Sequence, residues 1–210
     1  TFDHSVNYMD DFTGFCDYIK DTTEIDWDSL VLSFQEHLEM ADKNNMSYKA
    51  SKTCFGVPEV EFFGHILNID GRRHADHHLA PFRNMVPPEN ISELLRVLCL
   101  FVQHKDAITN FGIIARPLHD LTIKGRQWQW RADVEHYAFE ALRDKCLQND
   151  ILATPDFTKQ FYVDVDASDS GKGVTLYQLT DPSKGESLDN RSVISYYSKA
   201  HPASFMHRPP

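Results

Sequence analysis

The sequence predicts an α+β fold, with a mostly helical middle between two ends that each carry a small sheet. Three observations carry that expectation. Residues 5–19 place β-branched and aromatic residues around a polar Met9-Asp10-Asp11 centre. The Leu and Val positions after Pro87-Pro88, and the apolar positions of 132–148, follow a helical period. Phe161–Ala167 alternates apolar and polar residues as a strand does.

Taken in order, residues 5–19 read as two short strands joined at a tight turn. Leu30, Phe34, Leu38 and Met40 then give one helix, capped by Asp26 or Asp28 and ending near Asn44. Met46–Ala50 and Glu59–Ile69 read as strands, closed by the turn signal Asp70-Gly71. Pro87 and Pro88 suit the first turn of a further helix. A helix from about Ala132 to Gln148 would bury Val134, Tyr137, Ala138, Ala141 and Leu142 before Pro155. Phe161–Ala167, Val174–Leu179 and Val193–Ser198 are three strands, the last two separated by the loop 180–190.

The chain has 210 residues, of which 41% are hydrophobic and 25% charged, enough for one good core or two small ones. That composition excludes a disordered tail, a collagen-like repeat and a coiled coil. No apolar run reaches the ~18–20 residues of a membrane span, so no membrane partner is expected. Cys16, Cys54, Cys99 and Cys146 form no C-x-x-C pair, which suits a reducing compartment and an intracellular, cytoplasmic or nuclear setting. Residues 1–40 hold ten acids against Lys20 alone, so nearly all of the net charge of −10 sits there. A chain without a basic footprint is an unusual nucleic-acid binder, and this weighs against a polymerase.

The sharpest local feature is Asp10-Asp11. Two adjacent carboxylates repel each other unless they are solvated or share cations. Two readings stay open on those residues alone: a solvated turn, or a site for paired divalent ions that stabilise phosphoryl transfer.

Beyond that turn the sequence runs through Glu36-His37-Leu38, Lys52-Thr53-Cys54-Phe55, and Val60 to Ile66 with Phe63-Gly64-His65 at its centre. Then come Pro87-Pro88, Leu95-Arg96-Val97-Leu98, Ala115-Arg116-Pro117-Leu118, Trp130, Ala138-Phe139 and Leu152–Phe157. Last is Asp164-Val165-Asp166-Ala167-Ser168, followed by Gly171, Gly173 and Gln178. This series, from about Val6 to Ser198, resembles the Pol polyprotein of gypsy-type LTR retrotransposons. The resemblance implies the C-terminal part of a reverse transcriptase palm over 1–75, a mostly helical thumb and connection over 76–149, and an incomplete ribonuclease H-like domain over 150–210.

Residue by residue, the resemblance makes Asp10 and Asp11 catalytic metal ligands of the palm, with Tyr8 and Met9 lining the primer end and the incoming nucleotide. Phe63, Gly64 and His65 resemble the primer grip, and Asp166 the first metal-binding acid of ribonuclease H. Gly171 and Gly173 fit the turn to the next strand. For Gly64, Gly171 and Gly173 ordinary turn chemistry explains the residues equally well. Implied with the family are Mg²⁺ or Mn²⁺, an RNA/DNA template-primer, and RNA-directed DNA polymerisation with hybrid hydrolysis in the intact parent.

Three departures from the family lead to the expectation that this chain by itself is an inactive, truncated piece. A third palm acid would come from an earlier strand, and further ribonuclease H acids from a helix and later strands. The stretch 98–108 lacks the glycine, paired tyrosines and basic residue of the family's thumb. The alternative is a non-catalytic remnant that binds nucleic acid or protein. Other constellations carry less. His74-Ala75-Asp76-His77-His78 reads as a solvated loop rather than a metal site, and Trp128 and Trp130 as core rather than base-stacking. Arg72-Arg73 and Phe82-Arg83 could meet phosphate, but isolated arginines such as these read as solubilising surface residues.

Overall fold

The computed structural model describes residues 5–8, 11–14 and 25–201. The chain divides between Phe62 and Phe63 into two compact units, each described by itself.

In the first unit β1 (Ser5–Tyr8) and β2 (Asp11–Gly14) pair antiparallel with Tyr8 opposite Asp11, as the alternation predicts. Helix α1 (Trp27–Lys43) starts where Asp26 accepts a hydrogen bond from the Ser29 amide at 3.0 Å. His37 and Ala41 are its buried residues, and Leu38, expected on the inner face, is 42% exposed. The inner face is displaced because the residues after the helix fold back along it. The Phe55 ring lies 5.0 Å from Phe34, and the Tyr48 hydroxyl lies 2.8 Å from His37 Nε2. For the same reason Met46–Ala50 is not a strand: its Tyr48 is spent on α1, and the chain turns at Ala50–Lys52. Strand β3 (Val60–Phe62) completes the unit.

The second unit departs from expectation at its start. The stretch expected to be one strand over 59–69 breaks at Phe63-Gly64, where both residues take positive φ, 52° and 71°. Strands β4 (His65–Asn68) and β5 (Gly71–His74) then form a hairpin. Its turn is closed by the Asn68 side chain, which accepts from the amides of Asp70 at 3.0 Å and Gly71 at 3.2 Å.

Residues 76–83, expected to begin as a loop, form α2 (Asp76–Arg83). Its Leu79 and Phe82 are buried, and Phe82 belongs to the core. Helix α3 (Ile91–Gln103) begins after the prolines. Asn90 caps it, accepting from the Glu93 amide at 3.0 Å, while Glu93 accepts from the Glu89 amide at 2.9 Å. Two short helices come next, α4 (Phe111–Ile114) and α5 (Arg116–Leu121). A π turn over Ala132–His136 leads into α6 (Tyr137–Gln148). Glu135 is buried there and takes three hydrogen bonds from Arg131, which hold its carboxyl below the usual range.

Helix α6 buries Ala138, Phe139, Leu142 and Cys146. Tyr137, expected inside, is 71% exposed, because the helix docks on α2 and α3 through the Phe139 side. The core runs through Phe82, Leu94, Leu98, Phe101, Leu118 and Phe139, with Trp128 and Trp130 packed against it as expected. Each such fully buried side chain contributes about 1.5–3 kcal/mol.

The last sheet has the order β6 (Tyr162–Ser168), β7 (Gly171–Leu179), β8 (Arg191–Ala200), all antiparallel. Gly171 and Gly173 are strand residues of β7, not part of the turn, which is Asp169-Ser170. A short strap joins this sheet to the β4–β5 hairpin. Leu152 exchanges both main-chain bonds with Arg72, at 2.7 and 2.9 Å, and the Ala153 amide donates to the Val193 carbonyl at 2.7 Å. Among the described residues no helix is long and apolar enough to cross a membrane.

Candidate functional site

In β6 the acids Asp164 and Asp166 lie two residues apart and therefore on one face of the sheet. The register puts Asp164 opposite Thr175 and Asp166 opposite Gly173. Their surroundings differ. The Arg191 guanidinium forms an ion pair with Asp164, and the Tyr177 hydroxyl donates to the same carboxylate at 3.3 Å. Arg191 also lies over the Tyr177 ring, 4.4 Å from its centroid. One cation thus spans β8, β7 and β6, and Asp164 is neutralised by it. Asp166 is exposed at the strand's other end.

Beside Asp166 the sheet is built for close approach by α4. A Cβ on Gly173 would lie 2.5 Å from the Asn110 side-chain oxygen, and one on Gly171 would lie 2.6 Å from the Lys199 carbonyl. Gly112, in α4, donates its amide to Ser198 at 2.6 Å. These glycines have no Cβ because backbone and side chains of a neighbouring element occupy that space. Among the described residues no group of three His, Cys, Asp or Glu could hold a metal ion. Asp169 lies in the turn beyond the strand.

The second candidate is the turn before β4. Phe63, a non-glycine residue held at φ 52°, is 48% exposed, and the His65 ring nitrogen lies 3.1 Å from the Phe63 carbonyl. Gly64 is required twice over: its φ is positive, and a Cβ would run into the His78 ring. A large side chain at positive φ costs of order 1–3 kcal/mol, and such outliers gather at sites of function. Strap, hairpin and β6–β8 sheet lie in the same unit, so Phe63, Gly64, His65 and Asp166 share one frame.

Of the remaining candidates, Met9 and Asp10 lie outside the described residues. Tyr8 ends β1 and Asp11 begins β2, so the two are neighbours across the ladder with only residues 9 and 10 between them.

Of the histidines read as a solvated loop, His74 joins a stack that the sequence conceals. His74 ends β5, and its ring stacks on that of His104 at 3.8 Å, with His65 at 4.5 Å from His74 on another side. His104 is buried and its Nε2 has no hydrogen-bond partner among the described residues. Burial first, then the neighbouring imidazoles, pushes the His74 pKa down to about 3, and burial lowers that of His104. Nothing in the spacing of residues 65, 74 and 104 signals this stack, because three separate elements supply it.

Residues 130–209 match the RNase H-like domain found in reverse transcriptase. The Pol polyprotein of the Drosophila melanogaster transposon gypsy is 30% identical over 146 residues, 64% of this chain and 14% of that protein. That of transposon opus from the same species is 28% identical over 181 residues, 81% and 17%. The Schizosaccharomyces pombe transposon Tf2-3 polyprotein is 25% identical over 195 residues, 93% and 14%. The chain thus spans about one sixth of the length of the curated relatives it matches. Among solved structures, the foamy viral protease-reverse transcriptase dRH in complex with double-stranded DNA superimposes with a TM-score of 0.80 at 19% identity, over 100% of this chain and 34% of that one. The same viral protein with RNA/DNA hybrid gives 0.62 at 16% identity, over 99% and 31%. At these identities the structural likeness shows the fold.

Proposed function

From the premise that this chain is homologous to retrotransposon Pol polyproteins over much of its length, we propose that it is a segment of an RNA-directed DNA polymerase with an attached ribonuclease H. Its partner is an RNA/DNA template-primer. The observation that carries this reading is the β6–β8 sheet. It lies within the stretch that matches the RNase H-like domain and holds Asp166 exposed opposite a glycine. Asp166 is there the first acid of the hydrolytic site. Phe63, Gly64 and His65 form the turn that meets the primer strand, with the strained Phe63 as its exposed contact. Asp10 and Asp11, with Tyr8 and Met9 beside them, belong to the polymerising site. The cofactor is a divalent cation, Mg²⁺ or Mn²⁺ in its place.

This chain by itself is proposed to run neither reaction. The nearest acid on Asp166's face is committed to Arg191, and no acid set completes the site among the described residues. Primer extension and cleavage of a labelled RNA–DNA hybrid, each with Mg²⁺ or Mn²⁺, test this. No product is expected; turnover that Asp11→Asn or Asp166→Asn abolishes would overturn it. A second reading, a non-catalytic binding module, is favoured by the same Arg191–Asp164 pair. For that reading, hybrid affinity should fall steeply with added salt as phosphate contacts release counterions. Affinity indifferent to salt would count against nucleic acid as the partner.

A further inference from the structure

The strained turn at Phe63-Gly64 is held from the end of the β4–β5 hairpin. The Ala75 amide donates to the Gly64 carbonyl at 2.9 Å, and the His65 ring nitrogen lies 3.1 Å from the Phe63 carbonyl. The register sets His65 opposite His74, with their rings 4.5 Å apart. The conformation of the turn therefore follows the position of His74.

On the edge of β5 that faces away from β4, Arg72 and His74 present their main-chain groups, because a strand repeats every two residues. All four of those groups are taken. Leu152 exchanges both main-chain bonds with Arg72, at 2.7 and 2.9 Å. The Asn149 side chain exchanges both with His74, accepting from its amide and donating to its carbonyl, each at 2.9 Å. A carboxamide carries both a donor and an acceptor, so Asn149 stands in for the peptide group of a neighbouring strand. An unpaired edge lets a short strand slip in register. Leu152 closes this edge in the middle of the hairpin, and Asn149 closes it at the end next to the turn. Asn149 also ends α6, and four residues on the Ala153 amide donates to the Val193 carbonyl of β8. Phe63, at the far end of this series of bonds, is 48% exposed, so what the clamp supports is a surface turn and not the core.

We propose that Asn149 is a positioning residue for the primer strand. Acting through His74 and His65, it fixes Phe63 and Gly64 in the conformation that meets the strand. The strap 149–153 ties that turn to the sheet that carries Asp166. The assignment rests on the reading of residues 63–65 as the primer contact.

The test follows the amide chemical shifts of Phe63, Gly64, His65 and Ala75 in the isotope-labelled 210-residue chain, free and titrated with a DNA primer annealed to an RNA template. In the parent chain these amides are expected to move on titration. Asn149→Gly removes the clamp and keeps the backbone conformation. It should displace the same amides in the free chain and weaken template-primer binding about tenfold. Asn149→Asp, which keeps only the acceptor, should lie between the two. Leu118→Ala, a truncation of a fully buried side chain in α5, should lower the urea midpoint at least as much yet leave turn amides and affinity unchanged. Parent-like turn amides and affinity in Asn149→Gly would overturn the proposal, as would an equal loss of affinity in Leu118→Ala. A parent chain that binds template-primer without moving these amides overturns the reading of the turn, even where Asn149→Gly displaces them in the free chain, and the proposal falls with it.

Discussion

Asn149 grips His74 by both of its main-chain groups: its side-chain amide donates to the His74 carbonyl at 2.9 Å, and its side-chain oxygen accepts from the His74 amide at 2.9 Å. Seventy-five positions apart in sequence, the two residues make the end of α6 act as a strand neighbour of β5. Asn149 itself sits at φ 50°, the left-handed conformation that Asn and Gly tolerate.

That geometry separates two contributions. Asn149→Ala loses both hydrogen bonds and leaves at positive φ a residue that tolerates this conformation less well than Asn, and is expected to cost about 2–4 kcal/mol. Asn149→Gly loses the bonds but relieves the backbone, and is expected to cost roughly half as much. Urea denaturation of the three proteins gives the comparison; equal costs would mean that the hydrogen bonds dominate and φ does not matter.

The two glycines of β7 are expected to differ. At Gly171 an added Cβ meets the Lys199 main chain, which cannot move without breaking the β7–β8 ladder. At Gly173 it meets the end of the Asn110 side chain, which can rotate away. Gly171→Ala should therefore destabilise by about 2–3 kcal/mol and Gly173→Ala by about 1 kcal/mol or less. Thermal melts of the two variants check the order, and the reverse order would mean that the Asn110 contact, not the Lys199 main chain, is the one that cannot yield.

The stacked imidazoles of His74 and His104 predict a pH dependence. Facing them are His65 and His78, Arg72 and Arg73, and, around the same small cavity, Asp106 and Asp150. Both rings have folded pKa values below the unfolded value of about 6.5. Their neutral forms therefore stabilise the fold fully above about pH 6.5, and that stability is lost as the pH falls from there towards about 3. His74→Phe keeps a ring in the stack without a proton site. Its urea midpoint should fall less steeply than that of the parent chain between about pH 6.5 and about pH 4; parallel curves would rule His74 out as the source.

Much of the fold was legible locally. The β1–β2 pair, the Asp26 cap of α1, the turn before Gly71 and all three strands of the last sheet follow from alternation, capping chemistry and turn residues within a few positions of one another. So does the placing of Asp164 and Asp166 on one face, because a strand has a period of two. The misreadings share a cause. Met46–Ala50 has strand composition but is held by α1, and Phe63-Gly64 breaks an apolar run because His78 packs against the turn.

Side-chain period and cap chemistry are short-range properties, so they can be read from neighbouring letters. Which residue meets which across the chain cannot. The pairing of Asp164 with Arg191, of His74 with His104 and Asn149, and of Gly112 with Ser198 arises only when separate elements pack, since burial and hydrogen bonding are decided by proximity in space. The letters named two acids on a strand; folding left one of them exposed and bound the other to a cation 27 residues away.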